Sequence, residues 1–239
     1  MRTILLTIIT SLLFTKIQAQ IIEASKLQIG INFSPDGCYR LMEENEFTSK
    51  NGFKDLMDKN ETFKLGFTTG VNVYYQFNRM FGLETGVQYA NRGFQTKKSD
   101  FFLFSVDPLM SVNVRTKYIY KYLDIPLKVN YTFGNGKIKY IAGFGVINSF
   151  ILVAQRKTVG YYNDKGSRMG TKEQISESTN PFVLSPTVSF GADYRLNNKI
   201  NFRIEPNIKF AIMSAHNKLS FNQYLYSAGL NFSVLYRLK

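Results

Sequence analysis

The chain of 239 residues has one cysteine, one histidine and no tryptophan. With Cys38 alone, no intramolecular disulfide can form, and Cys38 stands too far past the N-terminal apolar run to be the lipidated first residue of a lipoprotein. It reads as an ordinary loop thiol. One Cys, the lone His216 and scattered acids do not compose a metal site, and no cofactor is expected. Acids are also scarce: 17 Asp and Glu face 30 Lys and Arg, a net charge of +13. A nucleic-acid partner would need a basic patch in a compartment that holds nucleic acid. The N-terminus points to export instead, so no nucleic acid is expected.

No apolar run reaches the roughly 20 residues a helical membrane span needs. The longest, Ile4 to Phe14, is broken by Thr7, Thr10 and Ser11 and follows Arg2. That is the make-up of a secretory signal over residues 1–19, cleaved between Ala19 and Gln20, which leaves 20–239 as one domain. An exported chain without a helical span can enter a membrane only as a closed β-barrel.

What the chain does have is aromatic residues, 21 Phe and 15 Tyr, and a period of two. At its end Tyr224, Tyr226, Ala228, Leu230, Phe232, Val234, Tyr236 and Leu238 alternate with Ser227, Gly229, Asn231, Ser233, Arg237 and Lys239. Ile200 to Ile212 alternates in the same way. Such patterns mark strands with one apolar and one polar face. Further alternating runs start near Leu27, Leu65, Phe81, Leu123, Ile138 and Phe182. Between them lie long aperiodic stretches at 35–62, 95–116 and 155–181 and a shorter one at 213–223. Tight turns fall at Asn78-Arg79-Met80, Gly134-Asn135-Gly136 and Asn197-Asn198. Long and short connections therefore alternate, the mark of an outer-membrane barrel with long loops outside and both termini periplasmic. The expected fold is all-β: an eight-stranded antiparallel up-and-down transmembrane β-barrel, monomeric, in the outer membrane of a Gram-negative bacterium. Pro126 and Pro206 sit in mid-strand, where bulges are expected. Tyr75, Tyr89, Tyr131, Tyr194 and Tyr236 read as the interfacial girdle.

The polar phase carries glycines together with Glu84, Arg92, Asp124, Lys128, Asp193, Arg195, Arg203, Glu205, Lys209 and Arg237. Eight strands enclose a space just wide enough for side chains to fill. Ions there must pair, so these ten are expected to form an interior network that plugs the barrel. A relay through Glu84, Arg203 and Glu205 would need a path that so narrow a lumen lacks. Two alternatives remain. One is a lipid acyl hydrolase using Ser214 and His216, facing lipid at the outer rim, although no orienting carboxylate stands near them. The other is a soluble exported barrel with an apolar ligand inside.

The runs Lys64-Leu-Gly-Phe-Thr-Thr-Gly70, Leu83-Glu-Thr-Gly-Val-Gln-Tyr89, Tyr122-Leu-Asp-Ile-Pro-Leu127, Ala142-Gly-Phe-Gly145 and Gly229-Leu-Asn-Phe232 resemble the PorT-like outer-membrane β-barrel family across residues 26–239. The resemblance implies the eight-stranded barrel, makes Pro126 a family feature and supplies no catalytic residues. The family's name comes from a component of a secretion and gliding apparatus, a role that the generic barrel motifs here do not transfer. The expected function is non-enzymatic, structural or partner-binding through loops 35–62, 95–116 and 155–181, with outer-membrane lipid around the barrel.

Overall fold

The computed structural model describes residues 27–44, 53–101, 112–162, 168–216 and 221–238. The expected signal segment 1–19 with its Ala19–Gln20 boundary, and parts of each long connection, lie outside these residues. Strands β1 (Leu27–Glu44), β2 (Glu61–Gln76), β3 (Phe81–Thr96), β5 (Val112–Phe133), β6 (Ile138–Tyr162), β8 (Phe182–Arg195), β9 (Ile200–Phe210) and β10 (Phe221–Arg237) each pair antiparallel with the next. Strand β1 pairs with β10, from Gln28 opposite Arg237 to Glu44 opposite Phe221, so the ring of pairings closes. Two short strands, β4 (Ser99–Phe101) and β7 (Arg168–Gln174), add to the outer parts of β5 and β6, and helix α1 (Phe53–Asn60) precedes β2.

The faces are inverted relative to a soluble protein. Phe190, Phe202 and Phe232 are 56%, 42% and 42% exposed, whereas Arg203 and Glu205 are 6% and 1% exposed. Ile31, Val71, Val87, Leu127, Phe144 and Ile208 continue the outward apolar band. Only a lipid surround makes this arrangement favourable, because burial of apolar surface is what each strand gains on leaving water. A soluble barrel with an apolar ligand pocket is thereby removed, since the inner face at mid-barrel is polar.

One end of the barrel holds the tight turns. Asn78 Oδ1 accepts from the Met80 and Phe81 amides at 2.8 and 2.7 Å, and Asn197 Oδ1 accepts from Lys199 and Ile200 at 2.8 Å each. Gly134 and Gly136 supply the positive φ values, 92° and 106°, that their turn requires.

The structure corrects the sequence-based boundaries. The aperiodic stretch 35–62 contains the outer half of β1, helix α1 and the start of β2; 95–116 contains β4 and the start of β5; 155–181 contains the end of β6 and all of β7. Nor do the prolines make bulges. At Pro126, β5 keeps an unbroken register with β6 (Pro126 opposite Ile147), and at Pro206, β9 does so with β10 (Leu230 opposite Pro206). On the other side the ladder omits the proline and resumes without a shift, from Thr85–Leu127 to Gln88–Asp124 and from Ser189–Asn207 to Ala192–Ile204. A missing N–H interrupts only the neighbour it would have served. The true irregularities lie between Phe63 and Phe67 and between Lys121 and Tyr122.

Placing a charge in the apolar band tests the orientation. Val87→Arg is expected to destabilise the barrel by about 2–4 kcal/mol, while Asn222→Arg at the end of β10 leaves it unchanged, as read from urea unfolding in lipid vesicles.

Candidate functional site

The interior is the feature built with most precision. Among the described residues, buried cations (Arg40, Lys64, Arg92, Lys128, Arg203, Lys209) and buried carboxylates (Asp36, Glu61, Glu84, Asp124, Asp193, Glu205) are equal in number. They stack in layers along the axis.

Nearest the turns, the Arg203 guanidinium donates to Asp193 at 3.1 Å and lies over the Tyr74 ring, 4.5 Å from its centre. In the next layer Lys128 Nζ spans the lumen between Glu205 on β9 (2.9 Å) and Glu84 on β3 (3.2 Å). Asn72 and Asn130 each donate to Glu84 at 3.0 Å, and Ser189 donates to Glu205. Farther along, Asp36 accepts from Ser34 at 2.7 Å and Thr68 at 2.6 Å, and Lys209 Nζ stands 3.7 Å away. Arg92 pairs with Asp124 and donates to Ser149 at 3.1 Å. In the last layer Arg40 joins Glu61 at 2.6 Å and Asp58 of α1 at 3.2 Å.

Above these ions the interior turns apolar. Ala90, Phe94, Tyr120, Tyr122, Ala154, Val183, Ala211, Ala215 and Leu225 form one buried cluster. Over it lie the residues leading into β8 and those following β9, joined where Thr179 bridges His216 and where the Asn180 amide donates to the Ala215 carbonyl at 2.9 Å.

Of the ten residues read from sequence as the network, eight are buried in these layers. Arg195 and Arg237 are not; they are half-buried at the turn-end mouth, lining with Gln28 and Asp193 a hollow of about 40 Å³. Asp36, Arg40, Glu61 and Asp58 were missed because they lie in the stretch read as loop. Their signal was present, since Ser34, Asp36, Cys38, Arg40 and Met42 continue the inward phase of β1. Pro35 and Gly37 in the outward row disguised it.

The Ser214–His216 pair is corrected. His216 does not face lipid: it is buried, its Nε2 lies 2.8 Å from the Tyr120 hydroxyl and its Nδ1 lies 3.2 Å from the Ser178 carbonyl. Ser214 Oγ accepts from the backbone amides of His216 and Gln223 at 3.3 and 3.1 Å. Neither imidazole nitrogen is left to take a serine proton, so the arrangement lacks the nucleophile–base contact that acyl transfer needs. Beyond the end of β9, burial pushes the His216 imidazole below its ordinary value.

A closed antiparallel ring with lipid-facing apolar residues outside and paired ions inside is an integral β-barrel membrane protein. The chain belongs to the family described as outer membrane protein beta-barrel domain, whose model matches residues 18–223. Similar solved structures include neisserial surface protein A (TM-score 0.46, 10% identity, covering 91% of this chain and 100% of that one) and OprG of Pseudomonas aeruginosa (0.45, 15%, 88% and 96%). The outer membrane protease OmpT of Escherichia coli is also similar (0.41, 8%, 92% and 99%). No curated protein matches in sequence.

Two measurements test the interior. Lys128→Met leaves Glu84 and Glu205 uncompensated and is expected to destabilise the barrel by about 3–5 kcal/mol, read from unfolding in detergent. A histidine whose folded-state proton affinity is lowered stabilises the fold above its unfolded pKa, and that contribution fades as pH falls. Protection factors for hydrogen exchange at 175–181 and 211–216 should therefore fall below about pH 6.5, and His216→Gln should abolish that fall.

Proposed function

We propose that the protein is a non-enzymatic, sealed barrel that works through its long-connection end, as a structural or partner-binding element of the cell surface or an envelope complex. The observation that carries this reading is the projecting sheet. Strand β6 pairs with β8 only over Ile138–Phe150, yet runs on to Tyr162, flanked by β5 and β7. The extra run is about 40 Å of strand at some 3.4 Å per residue. Behind it the lumen is crossed by ion pairs and covered by aromatic residues, which favours display over conduction.

In this reading both termini are periplasmic, residues 1–19 are removed between Ala19 and Gln20, and the mature barrel is a monomer. The motif Tyr122-Leu-Asp-Ile-Pro-Leu127 supports a place among PorT-like barrels. The partner meets the segments 35–62, 95–116 and 155–181. A membrane-impermeant maleimide on intact cells tests the orientation: Thr171→Cys should be labelled, and Asn198→Cys only after the outer membrane is permeabilised. A photo-crosslinker at Glu173 should then capture a discrete partner that is lost when 155–181 is shortened. Steady single-channel conductance from the purified barrel, or a cellular lipid profile altered by His216→Ala, would overturn the reading.

A further inference from the structure

Among the described residues the buried cations and carboxylates of the lumen balance, so their surplus of positive charge lies on other side chains. Part of that excess is concentrated at one place. Lys117 on β5 lies directly opposite Lys157 on β6, which lies directly opposite Lys172 on β7. Directly paired residues of neighbouring strands share a face, and like charges so placed repel. Three ammonium-bearing side chains thus form a row about 10 Å across, two strand spacings.

The row lines an open hollow of about 660 Å³. Arg115 adds a fourth cation, Lys64 of the balanced interior set reaches the edge of the hollow with its Nζ on Asn91 Oδ1 at 2.8 Å, and no lining residue is acidic. None of Arg115, Lys117, Lys157 and Lys172 forms an ion pair among the described residues. Arg115 Nε is buried without a hydrogen-bond partner. Glu173, next to Lys172 on β7, sits on the opposite face, joined to Arg156. An uncompensated row of this kind is stabilised by a bound anion.

The remaining lining indicates which anion. Leu65, 77% exposed, and Phe67 form the barrel-side wall. Phe67 rests against Phe33 and Tyr89, the top of the outward apolar band, at ring separations of 6.3 and 5.9 Å. The hollow therefore begins where the lipid-facing surface ends. A soluble polyanion would leave Leu65 in water, whereas an amphiphile with phosphate at its head and acyl chains below satisfies both walls.

We propose that this hollow holds the headgroup of a phosphorylated glycolipid of the outer leaflet. Its phosphates lie along Lys117, Lys157, Lys172 and Arg115, and its chains follow Leu65 and Phe67 down the barrel. The proposal rests on the long-connection end facing outward. Because the binding test uses purified protein, it can fail or succeed independently of the labelling on cells.

The test is titration of the full-length folded barrel in zwitterionic detergent, followed by native mass spectrometry. The probes are a bisphosphorylated diglucosamine lipid, its dephosphorylated form, inorganic pyrophosphate and an acidic peptide. The bisphosphorylated lipid should bind at least roughly tenfold more tightly than the dephosphorylated one, given charge-assisted contacts to phosphate. The triple substitution K117Q/K157Q/K172Q should remove that preference, while Lys199→Gln at the turn end keeps it. Heat-modifiable migration of each variant confirms that it is folded. With the repulsion gone, the triple variant should unfold at the same or a higher urea concentration than the parent in lipid-free detergent. Equal affinity for the dephosphorylated lipid, an unaltered preference in the folded triple variant, or binding of pyrophosphate or the acidic peptide as tight as that of the lipid would each overturn the proposal.

Discussion

Everything in this molecule depends on the absence of water around its middle. Lipid offers no partner to a backbone amide or a charged side chain, so every polar group on a crossing strand must be satisfied within the protein. Closing the ring between β1 and β10 settles the backbone. The side chains are settled by alternation, which sends each charge to the axis, where it must find an opposite charge at close range. The equality of buried cations and carboxylates among the described residues is the outcome of that constraint.

The layered interior also explains why the barrel is closed to flow. Lys128 reaches from β5 to Glu205 on β9 and Glu84 on β3, and Lys209 reaches from β9 towards Asp36 on β1 and Thr68 on β2. Except for Lys128–Glu84, which lie opposite each other on paired strands, these contacts join strands that the hydrogen-bond ladder does not. They brace the ring across its diameter, much as spokes hold a rim. Because removing one partner leaves the other stranded in a poorly solvated space, the layers specify one arrangement more than they add net stability.

The sequence displayed the membrane part of this design clearly and the rest poorly, for one physical reason. Inside the bilayer, outward means apolar, and the period of two is unmistakable from Ile200 to Phe210. Above the level of Tyr89 and Leu123 the surroundings become water and the rule reverses. There Ala90, Phe94, Tyr120 and Tyr122 point inward, while Asn91, Lys117 and Lys121 point outward. Opposite Lys121 and Tyr122, β6 carries an extra residue, Leu152, which shifts the phase of that strand at the same level. A single pattern sought along the whole chain loses the strand at that crossing, which is why 112–116 and 155–162 read as loops, while Pro35 and Gly37 hid 35–44. Eight of the ten candidate interior residues lie in the buried layers, where the membrane rule applies. Arg195 and Arg237, at the turn-end mouth, followed the phase of the network without entering it.

Cys38 lies on β1, opposite Ser227 of β10 on one side and Lys64 of β2 on the other, and is 1% exposed. It sits on the seam that completes the ring. The only thiol of the chain is thus concealed by the event that finishes the structure, and a nascent barrel offers it to solvent until its first and last strands meet. Protection of Cys38 from a bulky thiol reagent therefore reports closure of the ring without altering a residue.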